Sequence, residues 1–313
     1  MLEAATRLAP DQPNPFLNLG YALTDVDRFA DARRAFEQSI ALQDSTGARV
    51  GLYGLGITMG DDDLARAQVE AVRGRRDEMN MIGARIQVAH YQGRLREARE
   101  LGAEWLIRME QDGRHDSIGE PAVGAAMAEV LVGNDAEAVR MMADLDRQGF
   151  LTPGTADEQL FYAMLRKDAA MARRIYPVAV KELGAQADTK RGLDVMLALA
   201  EGRAGDAFRV FDPPLLDIGH LQQAVLWTMA AMAAERPTEA LKGFEFVNGT
   251  SSRVALAALA PWMMAQHART LAGLGRQADA RAAYERFFRL WKDADADVPL
   301  LVQARREFEK LGT

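Results

Sequence analysis

The sequence predicts an all-α protein built as a stack of similar helical pairs, and three observations lead to this prediction. A short pattern recurs along the chain, in which a glycine is followed by a polar residue and, five places after the glycine, by an alanine. The alanines of this pattern return at a nearly constant interval. In several copies an aromatic residue follows the alanine by four places, which is about one helical turn.

Eight copies of the pattern cover most of the chain, and "GRLREARELGAEW" (93–105) and "GRQADARAAYERF" (275–287) show it clearly. Three copies begin on Asp27, Lys167 or Glu235 instead of glycine. Successive alanines are 33, 33, 40, 34, 35, 33 and 40 residues apart, which is one period with two insertions. Such a period indicates a repeat protein in which each helical pair buries its apolar face against the next. The eight alanines are Ala32, Ala65, Ala98, Ala138, Ala172, Ala207, Ala240 and Ala280.

Each position of the pattern has a physical role in a pair of packed helices. We expect the alanine where the two helices come closest, because a larger side chain there would push them apart. The glycine suits the left-handed conformation that often ends a helix. The aromatic residue lies on the same helical face as the alanine, so we expect it in the core and not at a cofactor. These aromatics are Phe36, Tyr176, Phe211, Phe244 and Tyr284.

The pattern also places the helices along the chain. Each pair has a first helix, followed by a second helix that carries the alanine. Two stretches interrupt the series: "FDPPLLDIG" (211–219) breaks a second helix with two prolines, and "VNGTSSR" (247–253) is predicted to be a turn-rich linker. The first helices are predicted near 14–26, 46–59, 78–92, 118–132, 155–166, 188–201, 218–235 and 255–274.

The first unit, "NPFLNLGYALTDVDRFADARRAFEQSIALQD", resembles a tetratricopeptide repeat (TPR), and later units match that family more loosely. The resemblance implies a right-handed TPR-like α-α superhelix, or solenoid, of about eight helical hairpins with a C-terminal cap helix. It also implies a single domain over 1–313, with repeats over 14–293. The positions that carry the resemblance are Phe16, Leu19, Gly20, Leu23, Ala32 and Phe36.

Both ends of the chain are interpreted in the same frame. The opening "MLEAATRLAPDQP" resembles the second half of a second helix, so residues 1–9 are predicted to be the remnant of a repeat whose first helix lies upstream. The closing "VPLLVQARREFEKLG" is predicted to form the capping helix over 298–312. Asp297 is expected as its N-cap and Pro299 in its first turn.

The stretch "WKDADADVPLL" before that helix opens like a calcium loop, with three alternating aspartates. A calcium loop needs glycine at its sixth position and glutamate at its twelfth. Counted from Asp293, those positions hold Val298 and Ala304. We therefore expect no metal site here and interpret the stretch as a connection between helices.

The last repeat and its tail, "ARTLAGLGRQADARAAYERFFRLWKDADADVPLLVQAR", resemble the tails of TPR regions in bacterial eukaryote-like serine/threonine protein kinases. Some repeat-bearing bacterial transcriptional regulators carry similar tails. The resemblance implies a larger parent protein. The glycine-rich loop, strand lysine, catalytic loop and metal-binding Asp-Phe-Gly of a kinase are missing from the sequence. We therefore expect no catalytic residues and no enzyme activity in this chain.

Other motifs for cofactor or metal binding are weak. "GLGITMG" (54–60) is similar to a dinucleotide-binding loop, but its third glycine comes one place late and no strand precedes it. A helix with small residues for close packing explains it better. The histidines are scattered without ligand spacing, so no cofactor and no metal are expected. His267 falls at a core position, and His90 falls on the concave face.

The composition limits which partners and which cellular compartment are expected. The chain has 38 basic and 45 acidic residues and a net charge of −7, which disfavours nucleic acid and anionic membranes. Without cysteine, neither disulfides nor thiolate chemistry are available. We find no signal peptide and no apolar run near the ~18 residues that a membrane span needs. A cytoplasmic protein is expected, or a periplasmic one if the parent has an upstream transmembrane helix.

Three classes of function remain. We favour a non-catalytic protein-protein interaction or regulatory module of a bacterial signalling protein such as a serine/threonine kinase, because repeats supply a groove. The alternative is a small-molecule-sensing TPR domain of a bacterial transcriptional regulator, and an enzyme is the third class. The expected partner is a protein or a peptide.

The TPR resemblance also implies where a partner binds, because positions 2, 5, 9 and 12 of each first helix face the concave groove in that family. Five of the ten residues so identified are methionines. Flexible methionines suit apolar peptide anchors, but the same spacing is equally typical of a packed core. A clamp for acidic chaperone tails is excluded, because its lysine and asparagine positions hold Leu17, Tyr21, Val50 and Gly54. The ten groove residues are Tyr21, Gln87, His90, Met127, Phe161, Met164, Met196, Met229, Met232 and Trp262.

Overall fold

A computed structural model of the chain describes residues 2–184, 186–211, 214, 216–250, 254 and 256–311, and these residues contain helices and no β-strand. The predicted all-α class is confirmed. Eight helical hairpins precede a final helix in the described residues. The helices are α1 (Leu2–Leu8), α2 (Pro13–Asp25), α3 (Phe29–Leu42), α4 (Thr46–Met59), α5 (Asp62–Val72), α6 (Met79–Tyr91), α7 (Leu95–Gln111), α8 (Gly119–Val132), α9 (Asp135–Arg147), α10 (Ala156–Arg166), α11 (Ala169–Leu183), α12 (Ala187–Ala200), α13 (Ala204–Val210), α14 (Leu221–Ala233), α15 (Pro237–Gly249), α16 (Leu259–Gly273), α17 (Gln277–Leu290) and α18 (Pro299–Lys310).

The helices contact one another in the order that a solenoid requires. Within hairpins, α2 packs on α3, α4 on α5, α10 on α11, and α16 on α17. Between hairpins, first helix packs on first helix, in the series α2, α4, α6 and in the series α8, α10, α12, α14. Within each of these two series, neighbouring hairpins therefore bury their apolar faces against one another.

The described chain groups into two compact units. The first unit comprises Met1–Tyr91, Arg96–Arg108 and Thr250–Ala257. The second comprises Gln92–Leu95, Met109–Gly249 and Ala258–Thr313. A single domain over 1–313 stays a prediction.

Helix boundaries follow the prediction most closely where a local signal sets them. Helix α4 occupies the predicted span, because the Ser45 hydroxyl accepts from the Ala48 backbone N–H at its start and Gly60 ends it in the left-handed conformation. The first helix predicted near 255–274 begins four residues later than that, because α16 starts at Leu259. The predicted linker over 247–253 is wrong at its start, since α15 continues to Gly249. Residues 251–253 of that linker, and 212, 213 and 215 of the double-proline stretch, lie outside the described residues.

The repeat pattern has the predicted conformation in all eight copies. The framed alanines are at most 4% exposed, in agreement with a close contact between two helices. The residue five places earlier has a positive φ in every copy, between 71° and 92° at the five glycines. Asp27, Lys167 and Glu235 take the same conformation with φ of 60°, 56° and 55°. Since a Cβ is unfavourable there, these three hairpins carry a local backbone strain.

Replacing Lys167 or Glu235 by glycine is expected to raise the free energy of unfolding by about 0.5 to 1 kcal/mol. The relief of left-handed strain outweighs the extra freedom of glycine in the unfolded chain. Chemical denaturation measures the change. Lys242→Gly, inside helix α15, is the matched control and should lower the free energy of unfolding by roughly 1 kcal/mol. A loss of stability at Lys167 and Glu235 as well would contradict the left-handed assignment.

The core of the first unit is built around Phe36. Its ring is fully buried and packs with Leu23, Leu52 and Leu55 from the two flanking first helices. A methyl group added at Gly20 would lie 2.6 Å from the ring, so this glycine is what lets the ring approach helix α2. The predicted core role of the aromatic is confirmed at this position.

The second unit turns back on itself. Helix α8, which opens it, contacts α16 and α18, which close it. Ala128 and Leu131 of α8 form one apolar cluster with Ala258, against which Leu165 and Trp262 pack. The apolar faces of these first helices therefore meet one another in the interior of the unit.

Helix α18 caps the last hairpin as predicted, although one detail of its start is wrong. Pro299 is the first helical residue, but the N-cap position is held by Val298 and not by Asp297 as predicted. The carboxylate of Glu307 accepts from the Arg269 guanidinium at 2.8 Å and from the Tyr284 hydroxyl at 2.7 Å. These bonds hold the cap on α16 and α17. Residue 312 of the predicted span lies outside the described residues.

Candidate functional site

The ten predicted groove residues fall in both units. Tyr21, Gln87 and His90 belong to the first unit, and the other seven belong to the second. In the first unit Tyr21 and Gln87 line one groove. His90 is buried, with 6% of its surface exposed, so it offers little contact area to a partner.

The groove has a cavity volume of about 190 Å³ and is formed by helices α2, α4 and α6. We call it the first-unit groove. These are the first helices of the first three hairpins, so their equivalent faces are brought side by side by the repeat. The groove is lined by Tyr21, Thr24, Asp25, Val50, Gly51, Tyr53, Gly54, Leu55, Thr58, Ala84, Gln87, Val88 and Val254.

Small residues in the middle helix leave the groove open. Gly54 lies on α4, and a methyl group built on it meets no atom within 4 Å. Gly56, two places later, serves a different purpose, because a methyl group there would lie 2.9 Å from the Ala65 backbone nitrogen. The stretch "GLGITMG" is therefore a helix with its left-handed end at Gly60, and the dinucleotide-loop interpretation is contradicted. Gly56 therefore lets helix α5 pack closely on α4, whereas Gly54 leaves the groove open.

The polar groups of the groove are mostly used within their own helices. The Thr24 hydroxyl donates to the Gly20 carbonyl at 3.0 Å, and the Thr58 hydroxyl donates to the Gly54 carbonyl at 2.9 Å. The groove is thus suited to an apolar side chain, with Gln87 exposed at its edge.

Tyr21 stands at the other edge and is held from two sides. Its hydroxyl donates to the Gly47 carbonyl at 3.1 Å, and its ring packs edge-on against Phe36 with centroids 5.1 Å apart. Burial of the hydroxyl raises the pKa of Tyr21. The residue remains 43% exposed, so an aromatic side chain held in place faces solvent beside the groove. Rigid aromatics of this kind bind with little loss of side-chain entropy.

The floor of the groove is an apolar cluster. Tyr53 and Val88 are buried members of it, and Val50 and Ala84 pack against them. Val254, which is distant in sequence, packs on the same cluster. Sequence reasoning missed Val254, because no repeat pattern relates it to the other residues of the groove.

The predicted residues of the second unit lie in or beside its interior. Met164 and Met196 are each 4% exposed and are core residues. Met127, Phe161, Met229 and Met232 are half-buried, as is Trp262, which packs against the α8 cluster. For Met164 and Met196 the packed-core alternative therefore describes the structure better than the groove does.

His267 and Glu158 are titratable groups of the second unit with shifted pKa values. His267 stacks on Phe244, and its Nδ1 lies 3.2 Å from the Asn248 amide nitrogen, so it is a packed, hydrogen-bonded histidine as predicted. Burial, helped by the charges of Arg286 and Arg276, lowers the pKa of His267 to about 4. It is therefore neutral in the folded protein at pH 7.

Glu158 was not singled out by its sequence. Burial is the main cause that raises its pKa to about 8, and the Asp157 carboxyl beside it adds to the effect. Its Oε2 is buried without a hydrogen-bond partner among the described residues. A helix N-terminus would lower this pKa, so the shift shows that desolvation and the neighbouring acid prevail.

Other features of the described residues bear on chemistry. No group of three or more histidine, aspartate or glutamate side chains there is arranged to hold a metal ion. The Asp295 backbone N–H, in the aspartate-rich stretch, donates to the Gly93 carbonyl at 3.1 Å within the second unit. None of the described helices has the length and apolar character needed to cross a membrane.

Comparisons with known proteins give no family assignment. No protein family and no curated protein matches the chain. Among solved structures, the TPR domain of P58(IPK) is similar with a TM-score of 0.27 and 12% identity, over 95% of this chain and 98% of that one. The Cut9-Hcn1 hetero-tetramer of APC/C is similar with a TM-score of 0.25 and 10% identity, over 99% and 87%. The architecture described above rests on this chain's own helices and contacts.

Proposed function

We propose that this chain is a non-catalytic protein-interaction module, and that its first-unit groove binds a peptide segment through an apolar side chain. The observation that carries the proposal is the groove itself, which is apolar at its floor and opened by Gly54. It contains two of the residues expected from the repeat frame, Tyr21 and Gln87.

The size and chemistry of the groove favour one buried anchor with flanking contacts. A volume of about 190 Å³ suits a single aliphatic side chain better than a drug-sized ligand, which needs a pocket of at least ~300 Å³. Val50, Tyr53 and Val88 supply dispersion contacts to such an anchor. The exposed ring of Tyr21 and the amide of Gln87 are placed to contact the residues beside it.

We also propose that the module belongs to a larger bacterial signalling protein, such as a serine/threonine kinase. The resemblance of its C-terminal repeat to the tails of kinase TPR regions supports this proposal. The alternative is a small-molecule sensor of a transcriptional regulator, for which the half-buried Met229, Met232 and Trp262 of the second unit are the candidate contacts, because methionine adapts to apolar ligands.

Replacing Gly54 by leucine is expected to block the groove without harming the fold. The new side chain enters open space, and leucine is a better helix former than glycine by roughly 0.8 kcal/mol, so the melting temperature should stay or rise. Peptides are first selected from a displayed random library on the wild-type chain. Their affinity, measured by fluorescence anisotropy, should fall at least ten-fold in Gly54→Leu.

Gly102→Leu is the matched control. Gly102 also lies in a helix of the first unit with nothing within 4 Å of an added methyl group, but it does not line the groove. This variant should bind the selected peptides as the wild type does. Equal affinity of Gly54→Leu and wild type would refute the groove as the binding site. A metabolite that raises the melting temperature in both leucine variants would instead favour the sensor.

A further inference from the structure

The edge of the first-unit groove carries a charge. Asp25, the last residue of helix α2, lines the groove and is exposed. The other described residues that line the groove are uncharged. A peptide that seats an apolar side chain on the floor of the groove therefore also meets a carboxylate at its edge. A charge in such a position favours a partner of the opposite sign and disfavours one of the same sign.

The backbone around this carboxylate has the same sign. The groove reaches the last turns of two neighbouring helices, because Thr24 and Asp25 belong to the last turn of α2 and Thr58 belongs to the last turn of α4. The aligned peptide dipoles give the C-terminal end of a helix a partial negative charge, which stabilises a nearby cation. The carboxylate and both helix ends therefore favour a positive group.

The basic residue nearest to Asp25 in the sequence is directed elsewhere. The Arg28 guanidinium donates to the Asp31 carboxylate at 2.8 Å and to the Glu3 carboxylate at 3.2 Å. Asp25 also has an interaction within the chain. An ionised carboxylate offers about four lone-pair sites, so such an interaction leaves capacity for a bond to a partner.

We propose that the first-unit groove selects a peptide with an aliphatic anchor and a lysine or arginine within about two residues of it, with the cation placed against Asp25. Tyr21 and Asp25 are one helical turn apart, which is ~5.4 Å, and an extended peptide advances ~3.3 Å per residue. An anchor beside Tyr21 thus brings the second residue after it to Asp25. This inference rests on the proposed function, because it names the class of peptide that the same groove binds.

The first test lets the protein choose among peptides. A displayed library of random peptides with leucine fixed at the centre is selected on the full-length wild type. We expect lysine and arginine near the leucine to be enriched about two- to five-fold over the unselected library, as an exposed ion pair allows. Selection on Asp25→Lys should instead enrich aspartate and glutamate.

Asp11→Lys is the matched control. Asp11 is also exposed, and it lies beyond the opposite end of α2, about 20 Å from Asp25 at 1.5 Å per helical residue. The net charge of the protein changes by the same amount in both variants. Salt screens the effect at this distance, so Asp11→Lys should keep the wild-type preference for cations.

A second test measures the ion pair itself. A fluorescein-labelled peptide from the selection, and its version with glutamine in place of the cation, are titrated with wild type and with Asp25→Asn. Fluorescence anisotropy should show that glutamine weakens binding about two- to five-fold with wild type and has no effect with Asp25→Asn. The difference should shrink as the ionic strength rises from about 0.01 M to about 0.15 M. Asp25→Glu keeps the charge and should behave as wild type does.

The outcomes separate this inference from the proposed function. Absence of cation enrichment on wild type, the same enrichment on Asp25→Lys, or an equal cost of glutamine with wild type and Asp25→Asn would each overturn the inference. Circular dichroism shows that the variants compared are folded. The proposed function fails by a different result, when the selected peptides bind Gly54→Leu as tightly as wild type.

Discussion

Replacing Phe36 by alanine is expected to lower the free energy of unfolding of the first unit by about 3 to 5 kcal/mol. The ring is fully buried, and it fills the space that two glycines leave open between helices α2 and α4. Its removal leaves a cavity that these helices close only partly, since Leu23, Leu52 and the edge of Tyr21 are held by their own contacts. Urea unfolding followed by circular dichroism measures the loss.

A double-mutant cycle shows whether the cavity is the cause. In the wild type a methyl group at Gly51 would overlap the Phe36 ring, so Gly51→Ala is expected to destabilise. In the Phe36→Ala background the same methyl group has room, and the better helix propensity of alanine should make Gly51→Ala stabilising by about 0.5 to 1 kcal/mol. Phe29→Ala is the control, because Phe29 is only partly buried in the same cluster and should cost less. The same sign for Gly51→Ala in both backgrounds would contradict this packing.

Replacing Glu158 by glutamine is expected to stabilise the protein by about 2 kcal/mol at pH 9 and to change little at pH 4. The folded-state pKa of Glu158 is raised from about 4.5 to about 8, chiefly because burial disfavours its charge. Between these pH values the folded state holds a proton that the unfolded state has released. The contribution of protonated Glu158 to the free energy of unfolding is therefore fully present below pH 4.5 and is lost as the pH rises through 8.

The full shift corresponds to roughly 5 kcal/mol at 1.36 kcal/mol per pKa unit, and relaxation around the ionised group reduces what is measured. Glutamine cannot ionise, so the variant should lack this part of the pH dependence. Denaturation curves at several pH values between 4 and 9 test it. Glu100→Gln, the same change on an exposed helical residue, is the control. If the free energies of unfolding of the wild type and of Glu158→Gln change with pH in parallel, this carboxyl is not desolvated.

The repeat pattern alone predicts most of the fold, because its signals are local. The alanine spacing gives eight hairpins, and the residue five places before each alanine ends a helix in the left-handed conformation whether or not it is glycine. Lys167 and Glu235 also follow this rule, because the turn between the helices and the buried alanine after it require the left-handed conformation at that position. Where a boundary depends on distant packing, as at the start of α16, the sequence is less informative.

The residues of the candidate site also fall into those that the sequence identifies and those whose role depends on tertiary packing. A frame of helix positions identifies Tyr21 and Gln87, because the first helices of neighbouring repeats expose equivalent faces. The same frame cannot tell a groove methionine from a core methionine. That difference depends on which helices pack around each residue, and in the second unit Met164 and Met196 are buried.

Three properties of this protein were decided by the tertiary structure. Val254 reaches a groove made by helices that precede it by more than 160 residues, and only long-range folding makes that contact. In the sequence Glu158 is an ordinary acidic residue in the first turn of a helix. Its raised pKa results from its burial in the folded protein. Gly54 and Gly56 are alike in sequence, but one faces open space and the other a neighbouring backbone. Local sequence determines where each helix lies and where the chain turns. The burial of a residue depends on which helices pack against it in the folded protein.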